Sequence, residues 1–307
     1  MRSGRRSETV TSSVSAFESI VAAGTPLTRA QAETLLADPD LVSVGMLGEQ
    51  ARVAATGDRV AYGRVLEVAA DASFEGLDQA GEIRLVATPS SADDALSMAS
   101  AAAKVAGERP LTGFSLATLL GLSGGDHLAL ADLARALRRA GLEAVAEVPL
   151  DLVGDTENAV EVVRAALHGG LAVRRATVAA AAIADRLELI ERAVQVQRET
   201  SALRTFAPLP RQDPSTLPAT GYDDVRTIAA ARLMARSIPF IQVDWPLYGP
   251  KLAQVAIAYG ANDIDGVAVT DALNLGPRRS PKEDIERQIR AAACVPVERD
   301  GRYEWSK

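Results

Sequence analysis

The densest set of residues able to do polar chemistry lies late in the chain, where Asp244 and Trp245 are followed by Asn262, Asp263 and Asp265. Carboxylates grouped in this way can polarise a hydroxyl, bind a cation or accept hydrogen bonds from a ribose, and an indole offers a stacking face. Arg211, in "FAPLPRQD", would bring a cation to the same end of a barrel. A plainer reading stands beside this one. In "ANDIDG", Asp next to Asn and Gly is also ordinary turn chemistry.

Other reactive types are sparse. His127 and His168 are the only histidines and have no partner close in sequence, so both read as structural, His168 at a helix end where a cation suits the dipole. The chain has neither the GxSxG turn of a hydrolase nor the HExxH pair of a zinc protease. Its one cysteine, Cys294 in "IRAAACVPV", excludes an internal disulfide, a Cys-ligated zinc and a three-cysteine iron–sulfur site; as a helical residue it reads as small apolar core. "AVRRATV" is odder, because a strand buried on both faces should not hold two adjacent arginines. Arg174 or Arg175 must point into the interior, where it could meet an anion, unless the strand ends late.

These residues need a scaffold, and the hydrophobic pattern supplies one. Short β-branched runs near 60–68, 82–88, 111–117, 144–149, 171–178, 203–209, 239–244 and 265–269 predict strands. Amphipathic helices fall between them: Ala95, Met98, Ala102 and Val105 share one face, Val160, Val163 and Leu167 a second, Ile183, Leu187, Ile190 and Val194 a third. Seven or eight βα units with continuously apolar strands predict a parallel α/β sheet closed as a TIM-like barrel, with a doubly wound open sheet as the alternative. Ahead of the sheet, Thr28 and Gln31 form a capping box, and Val44, Leu47, Ala51 and Ala54 mark a helix that stops at Gly57. Ser280, Pro281 and Glu283 signal the start of a last helix. In a parallel barrel the site forms at the C-terminal ends of the strands, which is where Thr88, Pro89, Ser90, Asp151, Arg211, Asp244 and the late acidic residues fall.

Composition narrows the function class. With 48% hydrophobic residues and only 4% aromatics, the core is Ala, Val and Leu, suited to helices packed closely on a sheet. A net charge of −7 argues against general nucleic-acid binding. No apolar run is long enough to span a membrane, so the cytoplasm is the expected location. Residues 1–20 read as a solvated tail and 21–307 as a single barrel domain with an N-terminal helical extension.

"GYDDVRTIAAARLMARSIPFIQVDWPLYGPKLAQVAIAYGANDIDGVAV" and "VPVERDGRY" resemble the closing units of the aminofutalosine synthase and dehypoxanthine futalosine cyclase family, radical SAM barrels of the futalosine route to menaquinone. "AGTPLTRAQAETLLADPDLVSVGMLGEQARVAATGDRVAY" resembles their entry helices and first strand, and weaker similarity fills the middle. That family carries a CxxxCxxC loop after the first strand, whose thiolates hold a [4Fe–4S] cluster. Here "RVLEVAADASFEGLDQAGEIRLV", Arg64 to Val86, contains no cysteine and is too short for both the loop and the first barrel helix. "AEVPLDLVG" and "TVAAAAIAD" stand where the family has its glycine-rich and adenine-contact segments, so S-adenosylmethionine loses its usual contacts as well.

The resemblance therefore implies a catalytically degenerate barrel with no cluster, acting as a binding or regulatory partner in menaquinone biosynthesis. The missing helix would leave the barrel open near its first βα unit, an exposed apolar flank suited to a homo- or hetero-oligomer contact. The alternative is a binder of a nucleoside-like molecule, or a cofactor-independent enzyme, using Arg211, Asp244, Trp245, Asn262, Asp263 and Asp265. An active radical enzyme is the third reading.

Overall fold

The computed structural model describes residues 16–69, 76–180, 186–211, 221–270 and 281–305. Eight parallel strands form the barrel: β1 Arg59–Val68, β2 Glu82–Leu85, β3 Leu111–Ser115, β4 Ala144–Pro149, β5 Arg175–Val178, β6 Thr205–Pro210, β7 Phe240–Asp244 and β8 Asp263–Val267. Each pairs with the next, and β1 pairs with both β8 and β2, which closes the ring. The expectation of a barrel open near its first unit is thus corrected. An unpaired strand edge would leave a row of backbone donors and acceptors without partners, and Val65–Val68 aligned on Glu82–Leu85 removes that edge.

The helices are α1 Glu18–Ala22, α2 Arg29–Ala37, α3 Leu41–Thr56, α4 Ala92–Ala106, α5 Leu116–Leu122, α6 His127–Arg139, α7 Thr156–His168, α8 Arg186–Thr200, α9 Gly221–Met234, α10 Trp245–Ala258 and α11 Lys282–Ala291. Among the described residues the β1–β2 connection holds only a 3-10 turn, Leu77–Gln79, where each later crossover carries a helix. The flank is nevertheless not bare. Leu66, Val68, Ile83 and Leu85 are all buried, and Leu77 and Ala80 of the connection pack into the same core.

A ninth strand, β9 Val295–Arg299, was not expected from the sequence. It lies parallel to the first half of β1, Arg59 to Gly63, on the side where β2 takes the second half. That division explains why β1 runs for ten residues when β2 has four. Outside the barrel, β1 is tied down by polar side chains: Tyr62 donates to Glu286 of α11 at 2.7 Å, and Arg64 and Lys282 both donate to Glu298 at 2.7 and 2.9 Å.

The helical periodicity holds where it can be followed. Val160, Val163, Leu187 and Ile190 are buried, as are Val44, Leu47 and Ala51, while Ala54 faces solvent and Ile183 lies outside the described residues. On α4 the buried stripe is Ala95, Ala99, Ala102 and Ala106, with Met98 and Val105 only half-buried. The Thr28–Gln31 capping box forms, with both reciprocal hydrogen bonds. Pro281 is the N-cap of α11 rather than its first helical residue, and Ser280 lies outside the described residues. Residues 1–15, which make up most of the expected tail, also lie outside them, and α1 begins at Glu18, ahead of the expected boundary at residue 21. No helix among the described residues is long and apolar enough to cross a membrane.

α3 packs on α9 and on the end of α10, and Gly48 makes the second contact possible. A Cβ there would sit 2.3 Å from the carbonyl oxygen of Tyr259, a backbone atom that cannot turn aside. Gly48→Ala is expected to lower stability by about 1–3 kcal/mol, read as a lower urea midpoint with an unchanged slope.

Candidate active site

Side chains alternate across each strand, so the charged residues of the strand sequences must go inward or outward as a set. In "EIRL", Ile83 and Leu85 pack outward, which sends Glu82 and Arg84 into the barrel. Arg175 and Thr177 of β5, Gln242 and Asp244 of β7, Asp263 and Asp265 of β8 and Arg299 of β9 are likewise buried in the interior. A dry interior does not tolerate isolated charges, so these groups pair almost completely.

Asp265 is the hub. Its carboxylate accepts two bonds from Arg84, at 2.8 and 3.2 Å, lies 2.9 Å from Arg175 and is 3.5 Å from Arg299. Burial works to raise its pKa, but Arg175 and Arg84, helped by Arg299, hold it well below the usual carboxylate range. Glu82 behaves in the same way: burial raises it, Arg84 outweighs that, and the group stays ionised while accepting from Thr112 at 2.6 Å. Toward the base, Arg299 grips Asp263 with two bonds of 2.6 and 2.8 Å and stacks over Tyr303 at 4.1 Å.

Toward the C-terminal mouth, Arg211 bridges Asp244 at 3.1 Å and Glu147 at 3.2 Å. Beside this bridge a cleft of about 230 Å³ opens, lined by Arg84, Arg175, Arg211, Glu67, Glu147 and Phe114, with the hydroxyls of Ser115, Thr118 and Thr88 and the ring of Pro89 around them. Phe114 adopts φ = 59°, a left-handed conformation that costs a bulky residue energy and recurs at binding and catalytic sites.

Of the residues expected to bind a ligand, Arg211 alone lines this cleft. Asp263 and Asp265 are fully buried beneath it as partners of arginines, in β8 rather than in a turn. Asp244 pairs with Arg211 and caps α10 by accepting from the Leu247 amide at 3.0 Å. Trp245 is buried in the core. Asn262 accepts from Arg232 and from the Ile241 amide and donates to the Pro239 carbonyl, a structural tie at the barrel base. Arg232 there is pushed down to about 9 by burial and by Arg236 and Arg52.

The doubled arginines separate as the alternation requires. Arg175 enters the barrel, while Arg174 pairs with Glu143 at the base, 2.7 Å away. His127 meets Asn158 at 3.0 Å, and His168 ends α7 in an exposed position. Asp151 accepts from the Ala179 and Ala180 amides at 2.8 and 2.7 Å and so shapes the turn after β5. Sequence reasoning missed Glu82, Arg84 and Glu147. The signal for the first two was present: charged residues at alternate positions of an otherwise apolar strand share one face, and that face must be the interior one.

A family profile described as the CofH/MqnC C-terminal region matches residues 209–307. Two curated relatives are aminodeoxyfutalosine synthases, from Thermus thermophilus (32% identical over 39% of this chain) and Streptomyces coelicolor (33% over 39%). A third is a 5-amino-6-(D-ribitylamino)uracil–L-tyrosine 4-hydroxyphenyl transferase from Methanosarcina acetivorans, 27% identical over 60% of this chain and 55% of its own length. The matched region spans only 36% of each synthase. Among solved structures, methylornithine synthase superposes with a TM-score of 0.64 over 92% of this chain and 97% of that one, at 13% identity. A [FeFe]-hydrogenase maturase from Carboxydothermus hydrogenoformans does so with 0.65 over 92% and 79%, at 12% identity. At such identities the likeness is one of fold, and it agrees with the barrel expected from the sequence.

The residues present do not fit the iron–sulfur cluster that the resemblance implies. The only thiol, Cys294, is buried at the opposite end of the barrel from the cleft, in the link between α11 and β9 rather than inside the helix where it was expected. It directly precedes Val295, which pairs with the first residue of β1, and burial raises its pKa. It has neither the position nor the ionisation of a ligand at the mouth.

Asp265 and Glu82 release in the folded state protons that the unfolded chain would bind. The stability they contribute is complete above about pH 5 and is lost as pH falls below the ordinary carboxylate range. Asp265→Asn is expected to cost about 3–5 kcal/mol at pH 7, because it strips a shared partner from buried guanidiniums. It should also flatten the fall in urea midpoint between pH 5 and pH 2, and a variant as stable and as pH-sensitive as the parent would contradict the hub role.

Proposed function

We propose that this chain, a divergent relative of the aminodeoxyfutalosine synthases whose residues 209–307 form a CofH/MqnC C-terminal region, has left radical chemistry and works by binding a small organic acid at the barrel mouth. One observation carries the reading. Arg175 lines the cleft and is 3% exposed, and neither its Nε nor its Nη2 makes an aligned hydrogen bond; the Nη2 contact with Asp265 is an ion pair only. A buried donor left unpaired costs about 1–3 kcal/mol, which an entering acceptor would recover. Arg84 and Arg211, already held by carboxylates, frame the same space.

The size of the cleft limits the ligand. About 230 Å³ is below the roughly 300–1,000 Å³ of pockets that enclose drug-sized molecules, which favours a compact acid over a whole nucleoside. The synthase relatives support a role beside the futalosine route to menaquinone, and the misfit of the residues present to a cluster supports a binding or regulatory component over a radical catalyst. The β1–β2 flank lends little support to a partner contact, since Leu66, Val68, Ile83 and Leu85 are covered within the chain itself.

Two measurements test the reading. Calorimetry with phenylacetate should show binding by the parent chain and at least tenfold weaker binding by Arg175→Met, with circular dichroism confirming that the variant is folded; equal binding would remove Arg175 from the site. Anaerobic reconstitution with iron and sulfide should give no charge-transfer absorption. A stable brown protein that cleaves S-adenosylmethionine would restore radical chemistry.

A further inference from the structure

The arginines of the cleft suggest an anion receptor, yet their charge is already balanced. Among the described residues, four interior guanidiniums, Arg84, Arg175, Arg211 and Arg299, face five carboxylates, Glu82, Glu147, Asp244, Asp263 and Asp265, one more negative charge than positive. Glu67 adds another carboxylate at the rim. A phosphate dianion would therefore bring two negative charges to a site whose described guanidiniums are already matched, and its desolvation would be offset far less than that of a single charge. A single carboxylate asks less, because its acceptors can meet the unpartnered Arg175 Nε.

From this balance we propose that the cleft selects ligands bearing one carboxylate and a hydrogen-bond donor, and that Glu147 is the residue that sets this specificity. The inference rests on the cleft being the binding site. Glu147 is the carboxylate best placed to discriminate, being half-buried at the mouth, with its side chain 23% exposed and bound to Arg211 at 3.2 Å. It repels a second negative charge on the ligand and accepts from a hydroxyl. Asp265 and Glu82 lie too deep for either task, locked between arginines at full burial. The apolar remainder of the ligand lies against Phe114 and Pro89, which line the same space. The class is thus a compact hydroxy monocarboxylic acid with an apolar body.

A matched series with one phenyl body and four head groups tests the inference: phenylacetate, mandelate, phenylmalonate and phenyl phosphate, titrated calorimetrically at one ionic strength. The parent chain should bind mandelate about fivefold more tightly than phenylacetate, the worth of one added hydrogen bond, and phenylmalonate and phenyl phosphate at least tenfold more weakly. Glu147→Gln, at a part-exposed position where the fold is not at risk, should strengthen phenyl phosphate binding by about tenfold, as expected from removing one nearby like charge. It should also erase most of the preference for mandelate. A parent chain that binds phenyl phosphate as well as phenylacetate, or a Glu147→Gln chain with the parental order of affinities, overturns the specificity while leaving the cleft as the site. A folded parent chain that binds none of the four overturns the cleft reading and this inference together.

Discussion

One carboxylate organises the interior of this barrel. Asp265 is fully buried and shared by guanidiniums from β2, β5 and β9, three strands that are far apart in the chain and meet only when the ring has closed. Moving these charges out of water is costly, and only simultaneous pairing offsets the cost. The arrangement is therefore all-or-none: each strand must be in register for the others to be tolerable. Two glycines accommodate it. A Cβ at Gly63 would lie 2.6 Å from Arg299 Nη1, and Gly266, with φ = +75°, makes the irregular step beside Asp265.

The same constraint explains the chain's closing segment. β9 fills the half of β1 that the short β2 leaves unpaired, and its last residue, Arg299, reaches inward to Asp263 and Asp265. The following residues continue the seal. Gly301 bonds to the Gly81 carbonyl, Tyr303 packs against Phe240 at 5.7 Å, and Arg59 lies over the Trp305 ring. The barrel keeps a closed wall here through strand pairing and residues 295–305, where the described part of the β1–β2 connection holds only a 3-10 turn.

The eight barrel strands and most helices were legible because their signals are local. Apolar runs and helical stripes are set by neighbours within a few residues, and β4 was predicted at its observed bounds. β9 was not, because "VPVER" contains a proline and is only partly buried, so it carries neither the apolar run nor the clean alternation that marks a strand. β5 is shorter than predicted, beginning at Arg175, since Leu171 to Arg174 run up to the barrel with only an isolated bridge at Ala172. The cleft was less legible still. Arg84 meets Asp265 across 181 positions of sequence, and no local pattern reports that distance. The late acidic residues drew attention as candidate ligands because their types are reactive, but alternation in β8 turns Asp263 and Asp265 inward to arginines. From the sequence, the misfit of two arginines in "AVRRATV" pointed to the interior without choosing between Arg174 and Arg175; the structure turns Arg175 inward.

An ionic interior of this kind persists for structural reasons whether or not the barrel does chemistry, because losing any one partner strands the others. The paired charges at Asp263, Asp265, Glu82 and Arg299 therefore say little about activity: the fold accounts for them completely. What the fold does not account for is the mouth. The Arg175 Nε is left without an acceptor, Phe114 holds a left-handed backbone, and Glu147 and Arg211 face a space that no side chain of the described residues fills. The unpaired donor and the left-handed backbone are costs, and all three features border one cleft. A ligand with an acceptor for Arg175 offsets the first of these costs, which is why the functional argument rests on the unpaired donor rather than on the paired charges beneath it.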